Sequence, residues 1–185
     1  EEKPLIPAVM AAKKAGIPVI LLDRNVDQSL AKAGEDYVTF IGSDFIDEGK
    51  RVAEWLIKNA NGKTKIIELE GTVGSSPAND RKKGFDEAIN AAGGFTILAS
   101  QSGDFARDKG RQVAEALLQA HPDADVIYAH NDEMAMGAIA ASRPAGTTSS
   151  PPRTTGGSGV IWRSRRISSS RLCNRACNTS ARLRA

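Results

Sequence analysis

The chain has 185 residues, 41% hydrophobic and 25% charged, with 25 Lys plus Arg against 22 Asp plus Glu for a net charge of +3. That length holds one large or two small domains, and no apolar run approaches the roughly 20 residues of a membrane-spanning helix. The charge is divided: residues 1–141 hold all 22 acids and 16 bases, net −6, while 142–185 hold nine arginines and no acid. The positive total is therefore not the footprint of a nucleic-acid-binding fold, and no nucleic acid partner is expected.

Pro4 suits the first turn of a helix over 4–15, with Leu5, Ala8, Val9 and Ala12 on one face and Gly16 at its end. Residues 17–22 form a continuous apolar run, expected of a parallel strand buried on both faces. A second strand falls at 37–41. Asp44 is placed to cap a helix through Val52, Trp55 and Leu56 to Asn59, with Asp47 and Glu48 in its first turn and Asn61-Gly62 as the stop. A strand at 65–69 is followed by a helix over 79–92 ending at Gly93-Gly94, and by a strand at 95–99. Asp104 is expected to cap a helix reaching about residue 120. After a strand at 124–129, Asn131 opens a helix into Ala141. This β-α alternation predicts an α/β fold, a parallel sheet flanked by helices with right-handed crossovers.

Beyond Ala141 the pattern stops. Residues 142–185 are rich in Ser, Thr, Arg and Gly, with one apolar stretch at Val160-Ile161-Trp162. That composition predicts disorder. A basic arm for an anionic surface is one reading; a shifted reading frame is preferred. Codons for 141–148 can be chosen so that starting one base earlier gives Leu-Glu-Ala-Gly-Arg-His-Asp, which would continue the helix. Both cysteines, Cys173 and Cys177, lie here without further ligands nearby, so no metal site is expected. A cysteine-free body is compatible with an oxidising compartment. The chain begins with Glu1, so the lack of a visible signal peptide bears on nothing upstream.

Three apolar runs end in polar residues: 17–22 in Asp23-Arg24, 65–69 in the loop from Gly71 and then Asp80-Arg81, and 124–129 in His130-Asn131. Ligands of open α/β sheets bind at the carboxyl ends of strands, so Asp23, Arg24, Arg81 and Asn131 can share one crevice. A strand-end ion pair or a solvated cation explains each alone; recurrence at equivalent strand ends favours a site. Asp accepts hydrogen bonds and Arg donates from a planar fork. Two cations, one anion and one amide suit a neutral molecule rich in hydroxyls, such as a sugar. Phe105, after Asp104, could staple its helix to the core or stack on the apolar face of a sugar. Lys82 and Lys83 are expected to be solvated, and Trp55 and Phe85 to be core. The Gly71–Gly74 loop lacks the Gly-Lys-Ser/Thr of a nucleotide cradle. No nucleophile elbow, body cysteine or glycosidase carboxylate pair accompanies His130, so no enzyme activity and no cofactor are expected.

With these residues the chain resembles the periplasmic sugar-binding proteins of ABC transporters, and is most similar to the ribose and galactofuranose binders. The matching stretches are 15–24, 67–74, Asp80-Arg81-Lys82-Lys83-Gly84-Phe85, 100–105 and Tyr128-Ala129-His130-Asn131-Asp132-Glu133-Met134. The resemblance implies the type I periplasmic-binding-protein fold, in which two α/β lobes joined by a hinge close on one sugar. It implies ligand contacts from Asp23, Arg24, Arg81, Phe105 and Asn131, a periplasmic location, and a membrane permease as partner. Residues 1–41 would be the end of the first lobe with a hinge crossing, 42–141 most of the second lobe, and 142–185 a basic tail: a partial two-lobe architecture. The flanking strands of the first lobe would lie upstream, so very weak sugar binding or none, and poor solubility, are expected of these 185 residues. The alternative within the fold is the effector-binding domain of a lactose-repressor-type regulator.

Overall fold

The computed structural model describes residues 1–60, 63–142 and 159–162. In chain order the elements are α1 (Ile6–Lys14), β1 (Ile20–Leu22), β2 (Thr39–Ile41), α2 (Phe45–Asn59), β3 (Thr64–Glu70), α3 (Ser76–Ala92), β4 (Phe95–Ser102), α4 (Arg107–Ala120), β5 (Val126–Ala129), α5 (Asp132–Ala141) and β6 (Gly159–Trp162). They form two sheets. One is the parallel pair β1–β2; the other has the order β4–β3–β5–β6, parallel except for β6.

The larger sheet is a middle layer because β3 and β5 are apolar on both faces. Ile67, Leu69, Ile127 and Ala129 pack against Val113 and Ala114 of α4 and Met134, Ala135, Ala138 and Ile139 of α5. Ile66, Val126 and Tyr128 face Val52, Ala53 and Leu56 of α2 and Phe85 and Ile89 of α3. Alternation along a strand divides the two sets. Phe85 stacks on Tyr128 with centroids 3.9 Å apart, which places it in the core as expected.

Helices α2 and α3 meet backbone to backbone. A Cβ on Gly84 would lie 2.0 Å from the Ile46 carbonyl oxygen, and one on Gly49 would lie 2.1 Å from that of Arg81. Only glycine permits this approach, and it fixes Arg81 at the top of α3.

The smaller sheet has its own cluster: Val9, Leu21, Val26, Ala31 and Tyr37, flanked by Ile6, Met10, Val19 and Phe40. Here one expectation is corrected. β1 is not buried on both faces, since Ile20 and Leu22 are 58% and 72% exposed. Among the described residues this sheet has two strands and helix α1 to cover it, too little to enclose both sides. Asp104 is a second correction. α4 starts at Arg107 after an N-cap at Ala106, and Asp104 adopts φ 54° instead of capping.

The predicted disorder of 142–185 is interrupted by β6. Its backbone pairs antiparallel with β5, Ala129 with Gly159 through Val126 with Trp162. A free strand edge offers unpaired amides and carbonyls, and the β-prone run Val160-Ile161-Trp162 can satisfy them. Residues 143–158 and 163–185, with both cysteines, lie outside the described residues.

Replacing Gly84 by Ala is expected to destabilise the fold by about 1–3 kcal/mol, the usual cost of overpacking. Chemical denaturation that shows no change in midpoint would mean that α2 and α3 are free to separate.

Candidate functional site

Parallel pairing brings the carboxyl ends of β3, β4 and β5 to one edge of the sheet. Gly71 follows β3, Gly103-Asp104-Phe105 follow β4, and His130-Asn131 follow β5. The N-terminal unit reaches the same edge. The Asn25 amide donates to Ser76 Oγ at 2.7 Å and the Glu2 amide to the Gly74 carbonyl at 2.9 Å.

The Phe105 ring is the centre of this edge. It lies over Gly71, where a Cβ would fall 2.0 Å from its Cζ. The Arg24 guanidinium stands 5.9 Å from its centroid and that of Arg81 stands 6.0 Å away, both within cation–π range. Asn131 Nδ2 donates to the Phe105 carbonyl at 3.0 Å, while Asn131 Oδ1 accepts the Met134 amide at 3.0 Å and so caps α5. Of the four residues expected to share a crevice, Arg24 and Arg81 therefore face the Phe105 ring and Asn131 holds the Phe105 backbone. The fourth, Asp23, is next to Arg24. Its amide is anchored on the Ile41 carbonyl at 2.8 Å, and among the described residues its carboxylate has no hydrogen bond or ion pair.

Backbone strain is concentrated here. The non-glycine residues at positive φ among the described residues are Asp23 (63°), Asp104 (54°) and Phe105 (59°). Each such residue costs on the order of 1–3 kcal/mol, more readily tolerated by Asp than by a bulky Phe. The turn at Asp104-Phe105 sets the Phe105 ring over Gly71. Ser102 supports the second turn: its hydroxyl donates to the Gly71 carbonyl at 2.6 Å and accepts the Asp104 amide at 3.2 Å. Asp104 pairs with Lys109, whose hydrogen bond holds its carboxyl below the usual range.

Arg81 is held from two sides. Its Nε and Nη2 reach Glu48 Oε2 at 2.9 and 2.8 Å, and its guanidinium lies 4.6 Å from the Phe45 ring centroid. Arg24 and Asp23 are exposed. Glu48 neutralises Arg81 in an ion pair, and Asp23 offsets Arg24 in charge if not in contact, so these two arginines and two acids sum to zero.

Beneath it is a polar network that sequence reasoning missed. Glu68, in the middle of β3, is fully buried, as is His130. The Gly71 amide donates to His130 Nδ1 at 3.3 Å, so Nε2 carries the proton and donates to Glu68 Oε1 at 3.1 Å. Glu68 Oε2 accepts from Lys82 Nζ and Ser100 Oγ, each at 2.5 Å. Lys82 also faces Glu70 at 3.2 Å and Asp86 at 3.3 Å. Lys82 is thus no solvated cation: four-residue spacing on α3 puts it and Asp86 over the β3 face that bears Glu68 and Glu70. A carboxylate between Ile67 and Leu69, in the middle of a buried strand, was the available signal.

Burial pushes the Glu68 carboxyl up, but the hydrogen bonds from His130, Lys82 and Ser100 outweigh this and hold it below its ordinary 4.5. Lys82 is raised: burial opposes its charge, and Glu68, Asp86 and Glu70 more than restore it. Asp86 is raised by burial and by the charge of Glu68.

An α/β domain with polar groups gathered around an aromatic ring at the carboxyl ends of its parallel strands is of the ligand-binding class. The chain belongs to the periplasmic binding protein family: the sequence model of the periplasmic binding protein domain matches residues 1–161. It is 48% identical over 144 residues to the galactofuranose-binding protein of Escherichia coli K12, covering 76% of this chain and 44% of that protein. It is 45% identical over 139 residues to the ribose import binding protein of Salmonella typhimurium LT2, covering 75% of this chain and 45% of the relative. A Mycobacterium smegmatis crystal structure in complex with β-D-fucofuranose matches at a TM-score of 0.71 and 45% identity, over 78% of this chain and 48% of that one. The chain therefore spans about half the length of the curated relatives it matches.

A depressed carboxylate contributes stability that is present above its unfolded pKa and lost as pH falls through its folded one. Glu68→Gln is expected to cost roughly 1–3 kcal/mol near neutral pH. The gap to the parent should narrow as pH drops below 4.5. Denaturation curves with a pH-independent gap would show that the Glu68 charge does not supply this stability.

Proposed function

We propose that this chain is part of the solute-binding component of an ABC transporter, which binds a monosaccharide of the galactofuranose or ribose type without chemical change and delivers it to a membrane permease from the periplasm. The observation that carries the reading is that the Arg24 and Arg81 guanidinium groups face the Phe105 ring while Asn131 holds the Phe105 carbonyl, with Asp23 next to Arg24. The named activities of the relatives support it: galactofuranose binding, ribose import and a bound fucofuranose. In this reading the Phe105 ring stacks on the apolar face of the sugar. The guanidinium groups and the Asn131 amide donate to sugar oxygens, and the Asp23 carboxylate accepts from two hydroxyls. Arg81, the half-buried arginine of the pair, is already neutralised by Glu48, which fits a neutral ligand rather than a sugar phosphate.

A nuclear magnetic resonance titration is the suitable test, because it registers weak as well as tight binding. D-ribose and a methyl galactofuranoside are expected to shift the resonances of Gly71, Phe105 and Asn131 in a saturable way and to be recovered unaltered. A charge-assisted hydrogen bond contributes about 1.5–3 kcal/mol, so Arg81→Ala should weaken binding at least about tenfold. Unchanged affinity in that variant would remove Arg81 from the site. Turnover of the sugar, or shifts confined to other surfaces, would refute the proposed function.

A further inference from the structure

We propose that His130 is a positioning residue for the sugar site, acting through the Gly71 peptide. The inference rests on the sugar-binding reading above, since it concerns how that site is held. His130 is fully buried and cannot itself reach a ligand at the surface. Its Nδ1 holds the Gly71 amide, while Ser102 Oγ holds the carbonyl of the same residue. The Gly71 peptide is thus tethered from β5 on one side and from β4 on the other. The Phe105 ring rests directly on this glycine, and both guanidinium groups face that ring.

Glu68 decides which way the imidazole works. It accepts a hydrogen bond from Nε2–H, and with the proton kept on Nε2, Nδ1 is the acceptor that the Gly71 amide requires. Lys82 and Ser100 hold Glu68 in turn. The chain of contacts runs from Lys82 on α3, through the centre of β3, to the peptide under the aromatic ring. Its outward end is Gly71, so a fault anywhere along it reaches the ligand as a tilt or shift of Phe105.

Three variants of the 185-residue chain test this, each followed by the Gly71 amide resonance, the Phe105 ring resonances and sugar titration. His130→Leu keeps the bulk but removes both nitrogens. It should shift the Gly71 and Phe105 signals, speed hydrogen exchange at the Gly71 amide, and weaken sugar binding at least about tenfold. His130→Gln keeps an acceptor and a donor on one planar amide, and should restore binding to within about threefold of the parent. Ser102→Ala removes the opposite tether from a less buried position and should disturb the same two residues, which keeps the proposal testable if His130→Leu does not fold. Slow amide exchange at Ile66 and Leu69 identifies variants whose core is intact. Unchanged Gly71 and Phe105 signals in folded His130→Leu, or in Ser102→Ala if the former is unfolded, would overturn the proposal. If those signals move as expected while the parent shows no titration with any sugar, the functional reading fails and the positioning role stands.

Discussion

The contact on which the rest of the site depends is that of the Phe105 ring with Gly71. A side chain at 71 would occupy the ring's own position, so the ring lies flat on the end of β3 only because that residue has no Cβ. From this platform the two guanidinium groups, the Asn131 amide and the strained turn at Asp104-Phe105 take their places. The turn is unfavourable for Phe in isolation. It persists because Ser102 and Asn131 hold the backbone on both sides of it.

The electrostatics support the same geometry. A carboxylate at the centre of a sheet would be prohibitive without partners. Glu68 has three side-chain donors, from a strand end, a neighbouring strand and a helix. This concentrates charge below the site, while above it Arg81 is paired with Glu48. Arg81 is held rigid by the ion pair and by the Phe45 ring, whereas Arg24 is exposed and able to adjust.

The N-terminal unit is built differently from the larger layer. Its strands are three residues long and its apolar side chains are partly exposed, yet it reaches the loop after β3 through Glu2, Asn25 and Arg24. Residues from both units therefore surround Phe105. Asp23 and Arg24 come from the smaller, and Arg81, Phe105 and Asn131 from the larger.

Local patterns were enough to place most elements and to single out the edge residues. Period-2 and period-3.6 apolar repeats, the caps Asp44 and Asn131, and the stop at Gly93 act over a few residues, and their outcome matches the helices and strands observed. That Arg24, Arg81 and Asn131 lie at one edge was legible too, because in a parallel sheet polar residues collect where strands end; the contact of the Phe105 ring with Gly71 was not. What the tertiary structure alone decided involves partners far apart in the chain. Glu68 and His130 are 62 residues apart and Arg81 and Glu48 are 33 apart, so no local window could show that Lys82 is drawn into a buried network or that Glu48 orients an arginine. Asp104 carried every sign of a helix cap, but seating Phe105 on Gly71 required the chain to turn there first. β1 had the composition of a doubly buried strand, and its exposure depends on which elements lie beside it, a property of the assembled layers and not of the run itself.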